Sequence, residues 1–125
     1  MTHRPTPYFA ALILLMTAAG PTAAQNQLDS QTWMNGMIET LPDFFCKDDQ
    51  YFMQCFEVSE AECREVTRRL TEVCIEEVTD RIPALLDMPD DGRQWGTEVG
   101  RCAGIAYDME MVESRSKTPA CNPPG

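Results

Sequence analysis

A chain of 125 residues with 20 acidic and 10 basic side chains carries a formal charge of −10. That balance excludes nucleic acid and anionic membrane surfaces as partners, since both require a basic footprint. The one histidine is His3, so histidine-assisted nucleophilic catalysis and mixed Cys/His zinc sites are excluded from the rest of the chain.

Residues 1–24 read as a secretory signal. Arg4 precedes the apolar run "FAALILLMTAAG", which is 12 residues long where a bilayer span needs about 20. Gly20 and Pro21 break it, and the small residues Thr22 and Ala24 set cleavage near Ala24–Gln25. No cysteine follows for lipid attachment and no twin arginine precedes the run. The mature part, 25–125, is then one domain. Losing Arg4 moves its charge from −10 to −11. Its expected location is the periplasm or the medium, with no span after cleavage.

A polar lead-in, 25–29, precedes a first helix expected over 30–41. Asp29 or Ser30 caps it. Trp33 or Met34, with Met37, Ile38 and Leu41, makes one apolar face, and Pro42 stops it. Phe44, Phe45, Tyr51, Phe52 and Phe56 then form an aromatic cluster around a short helix ending at Phe56, capped by Asp48 or Asp49. Such a cluster can be a core or a binding surface; the core is the expected reading, since a domain this small needs such rings inside.

Ser59 and Glu62 form a capping box for a third helix that runs to Pro83. Ala61, Val66, Leu70, Val73, Val78 and Ile82 are its expected buried stripe. Glu60–Arg64, Glu65–Arg69 and Glu77–Arg81 have the acid four residues ahead of the base, the favourable order. The segment "ALLDMPDDG" reads as a turn region. Its acids lack the alternating pattern of a calcium loop, so Asp90 or Asp91 is assigned as the cap of a fourth helix over 91–113. Trp95, Val99, Cys102, Ala106 and Met109 form that helix's seam.

Gly92, Gly96, Gly100 and Gly104 fall at every fourth position of this helix. The three interior ones, Gly96, Gly100 and Gly104, cost roughly 3 kcal/mol together relative to alanine. Residues four apart form one ridge, and removing its side chains leaves a groove that a neighbouring helix can enter closely. The expected neighbour is helix one or three; a partner, or a second copy forming a homodimer, is the alternative. A phosphate loop is excluded, because such glycines precede a helix.

The six cysteines, Cys46, Cys55, Cys63, Cys74, Cys102 and Cys121, suit three disulfides in an exported domain. No Cys-x-x-Cys pair is present, which leaves neither a metal site nor a thioredoxin-type redox motif. Cys63 and Cys74 are eleven residues apart in one helix, about 16 Å along it, beyond the roughly 7 Å a disulfide spans. Taking the short helix and helix three as a hairpin pairs Cys55 with Cys63 and Cys46 with Cys74. Cys102 is left for Cys121. The layout Cys-x8-Cys-x7-Cys-x10-Cys resembles, in geometry, the twin Cys-x9-Cys helical hairpin.

These readings converge on an all-α, disulfide-stapled bundle of about four helices with a helical hairpin at its centre. The expected function is a non-catalytic interaction module of inhibitor or immunity type. Its partner would be another protein, basic by charge complementarity. The alternative is a carrier of a small apolar ligand, suggested by the methionines and aromatics. An enzyme using paired carboxylates ranks third. No cofactor or metal is expected.

Overall fold

The computed structural model describes residues 2–3 and 26–124, so most of the expected signal lies outside the described residues. Strand β1 (Gln27–Asp29) leads into α1 (Ser30–Phe45), followed by α2 (Tyr51–Cys55), α3 (Glu60–Val78), β2 (Leu85–Asp87) and α4 (Asp90–Glu110). Short 3₁₀ turns at Val112–Ser114 and Pro119–Cys121 end the chain. The small disulfide-stapled helical bundle is therefore what the sequence folds into, with a two-stranded sheet added.

That sheet replaces two expected irregular segments. β1 and β2 pair antiparallel with Leu28 opposite Leu86, and Leu86 is fully buried. Three residues of lead-in and three of turn region are too short to show a period; their pairing is set by contact across the fold.

α3 is the central helix, antiparallel to both α1 and α4. Its C-terminal half joins Trp33, Met34, Trp95 and Val99 in one core cluster. Its N-terminal half joins Phe52, Phe56, Tyr107 and Met111 in a second. The central hairpin is thus formed by α1 and α3, with α2 in the connection. Asp29 caps α1, accepting from the Thr32 amide at 2.9 Å and the Thr32 hydroxyl at 2.6 Å. These bonds, the hydroxyl's first, hold its carboxyl below the usual range. Ser59 caps α3, accepting from the Glu62 amide at 3.1 Å.

Pro42 does not stop α1. The proline forfeits one backbone donor, but the turn beyond it closes through the Cys46 N–H to the Pro42 carbonyl at 3.0 Å. The stripe on α3 is also rotated from expectation. Cys63, Thr67, Leu70, Thr71, Cys74, Ile75 and Val78 are buried, while Ala61 and Val73 are exposed. Thr71 is admitted to the interior because its hydroxyl donates to the Thr67 carbonyl at 2.7 Å. On α4 the buried seam is Trp95, Val99, Ala103 and Tyr107; Cys102 and Ala106 flank it, and Met109 is 73% exposed. Neither Asp90 nor Asp91 caps α4. The cap position is Pro89, and Asp91 instead accepts from the Asp87 amide at 2.8 Å. Nor does Asp48 or Asp49 cap α2, which starts after Gln50 without a side-chain cap.

All three expected disulfide pairings are corrected. The bonds are Cys46–Cys63, Cys55–Cys121 and Cys74–Cys102, with Cα separations of 5.8, 5.4 and 5.9 Å. The longer α1 carries Cys46 to the start of α3, where it meets Cys63. That leaves Cys74, three turns further on, to face Cys102 on α4, and Cys55 to take the tail through Cys121. The bridge between Phe56 and Arg115 holds that tail beside the end of α2.

Candidate functional site

The glycine ridge behaves differently along its length. A Cβ at Gly96 would lie 3.8 Å from Met37 Cε and 3.9 Å from Trp33 Cζ2, ordinary contact with α1. At Gly100 and Gly104 it would meet nothing within 4 Å. The expected close helix packing is therefore absent at Gly100 and Gly104, and only moderate at Gly96. Met37 and Trp33 of α1 reach α4 at Gly96, whereas no neighbouring element comes that close at Gly100 or Gly104.

The space so opened is a groove of about 310 Å³, lined by Phe45, Gln50, Tyr51, Phe52, Arg101, Gly104, Ile105 and Asp108. Its aromatic wall is braced from behind. The Phe52 ring stacks on Tyr107 with centroids 3.8 Å apart, and Phe45 lies 4.9 Å from Phe52. Tyr51 is 42% exposed and Ile105 55% exposed, so two large apolar side chains stand at the rim. The aromatic cluster is thus divided: Phe52 and Phe56 enter the core, Phe45 and Tyr51 wall the groove, and Phe44 faces solvent.

Charge around the groove is unequal. Asp108 is paired with Arg115, its Oδ1 3.0 Å from Nη2. Arg101 makes no ion pair among the described residues, whereas Arg64, Arg68, Arg69, Arg81 and Arg93 each do. Beneath the aromatic wall the Tyr107 hydroxyl is buried without a hydrogen-bond partner among the described residues. Burial, with a contribution from Glu62, pushes its pKa up to about 12.

A second surface is the outer face of α3, opposite the sides that pack on α1 and α4. Glu62, Glu65, Arg69, Val73 and Glu76 follow one another there at helical spacing, with Asp80 just past the end. The expected Glu60–Arg64 pair forms at 2.9 Å. The expected Glu65–Arg69 and Glu77–Arg81 pairs do not: Arg69 reaches Glu110 and Arg81 reaches Glu98, both on α4. Glu62, Glu65, Glu76 and Asp80 are consequently without a cationic partner among the described residues, with Val73 exposed between them.

Sequence reading singled out Gly104 and the aromatic residues Phe45, Tyr51 and Phe52 but missed Gln50, Arg101, Ile105 and Asp108 as groove wall. Arg101, Ile105 and Asp108 flank Gly104 at helical spacing, a signal visible once α4's buried side is known. Gln50 gave none. Among the described residues, no group of His, Cys, Asp and Glu is arranged to hold a metal ion. The profile of a family described as "NttA: T2SS substrate NttA" matches residues 27–115. No curated protein and no solved structure matches the chain.

Proposed function

The chain belongs to the NttA family of type II secretion system substrates, and from that premise we propose that it acts after export as a non-catalytic binding module for a basic protein. The membership makes it an exported protein. The reading beyond that rests on one observation: the outer face of α3 carries Glu62, Glu65, Glu76 and Asp80 without internal partners, around the exposed Val73. An apolar centre with an acidic surround is suited to a partner of opposite charge, which it steers in and orients. The non-catalytic part is supported by the absence of histidine beyond His3 and by the engagement of all six cysteines in disulfides.

The test is affinity capture from the extracellular fraction, with the wild type and a Glu65→Lys/Glu76→Lys variant as bait. The expected result is a basic protein retained by the wild type, released as salt is raised, and lost to the variant. Retention that ignores both salt and the two substitutions would count against the proposal.

A further inference from the structure

We propose that the groove between α2 and α4 is a binding site for a small molecule with an apolar body, a single ring or a short chain, and a carboxylate head. It lies on a different face from the acidic surface of α3 and does not depend on that reading.

Three features carry this. The first is size. At about 310 Å³ the groove sits at the small end of ligand sites, which run from roughly 300 to 1,000 Å³. The second is a preorganised apolar wall. Phe52 is clamped between Tyr107 and Phe45, so it is held in place before a ligand arrives. Opposite it, Gly104 adds no side chain, which gives the space its depth, and Ile105 and Tyr51 close over the edge.

The third feature is the uncompensated cation. In a chain with twice as many acids as bases, Arg101 stands on the groove with no ion pair among the described residues. The other charged group of the lining, Asp108, has Arg115 Nη2 3.0 Å from its Oδ1, an oxygen that is buried and accepts no hydrogen bond among the described residues. A guanidinium offers two parallel donors to a carboxylate. The acidity of the whole chain opposes an anion only weakly there. Exposed charges beyond about 8–10 Å are screened at physiological salt, whereas a direct contact with Arg101 is not.

The probes are 4-phenylbutyrate, 4-phenylbutanol and 4-phenylbutylamine, titrated into the protein and followed by amide shifts in two-dimensional NMR. The acid is expected to bind in preference to the alcohol and the amine, with the largest shifts at Gln50, Gly104 and Ile105. Arg101→Gln, a change at an exposed position, should weaken the acid about tenfold and leave the alcohol unchanged. Gly104→Val should fill the groove and abolish binding of the acid, and Ile105→Asp, at an exposed rim position, does the same without adding bulk beneath the ring wall. Equal affinity for acid, alcohol and amine would overturn the proposal. So would shifts centred elsewhere, an Arg101→Gln variant that binds the acid like the wild type, or no binding up to millimolar acid.

Discussion

Replacing Gly100 by alanine should stabilise the protein. A glycine in a helix interior is less favourable than alanine by about 0.8–1 kcal/mol, because it gives up more backbone freedom on folding. That gain is realised only if the added methyl has room. At Gly100 the new Cβ meets nothing within 4 Å, so the full amount should appear, roughly 4–8 °C in melting temperature for a domain of this size. Gly96 should gain as much, since its Cβ would sit in ordinary contact 3.8 Å from Met37 Cε. Gly92 is the contrast, because a Cβ there would lie 2.5 Å from Met88 Cε. That side chain must move, and the gain should shrink or reverse. Thermal and urea denaturation of the three alanine variants, followed by circular dichroism, gives the ranking. If Gly100→Ala lowered stability by 1 kcal/mol or more, the open shelf on α4 would be covered in solution and the space at Gly100 would be wrong.

Non-reducing peptide mapping should recover Cys46–Cys63, Cys55–Cys121 and Cys74–Cys102 and none of the other pairings. Loop-closure entropy ranks the staples: alanine at both Cys55 and Cys121, 66 residues apart, should cost about 4 kcal/mol, against about 3 for Cys46 with Cys63, 17 apart. A Tyr107→Phe variant should be as stable as the wild type or more so at neutral pH, because it removes a buried hydroxyl that has no hydrogen-bond partner among the described residues. Because the folded pKa of Tyr107, about 12, is above the unfolded value near 10, wild-type stability should fall as pH rises from about 10 to 12. The phenylalanine variant should show less of that decline in urea titrations across the window. Ser59→Ala should cost about 1 kcal/mol through loss of the α3 cap, readable as a shift in the urea midpoint.

The helices were legible where local chemistry decides. Asp29 and Ser59 cap where a short acceptor precedes an apolar period. The apolar face expected on α1 packs on the core as read, but the stripe expected on α3 was partly misplaced by residue type. Val73 has the side chain of a core residue, yet Thr67 and Thr71 lie inside and Val73 outside. A threonine that bonds its own helix hides its polarity from a composition rule. The disulfide pairing went wrong from the choice of hairpin. Pairing the short helix with α3 set Cys55 against Cys63 and Cys46 against Cys74 and left Cys102 for Cys121, whereas α1, running past Pro42, is the true partner of α3 and brings Cys46 to Cys63. The glycine spacing signalled a groove, but regular spacing alone does not say whether a neighbouring helix fills it; that depends on how closely the other elements approach α4 at Gly100 and Gly104.

The stitching of the described domain bears on how it survives after export. Polypeptides are usually attacked at loose ends and at segments that open locally. Here the leading segment is zipped into a two-strand ribbon from Gln27, and the trailing one is welded at Cys121 to the end of α2. Each long helix also carries a covalent link to another part of the fold. Fraying from either end of the described domain therefore runs into a fixed point within a few residues. A protease must wait for a wider opening of the fold, so lifetime in a hostile medium is governed by that rarer event and by the redox state of the surroundings.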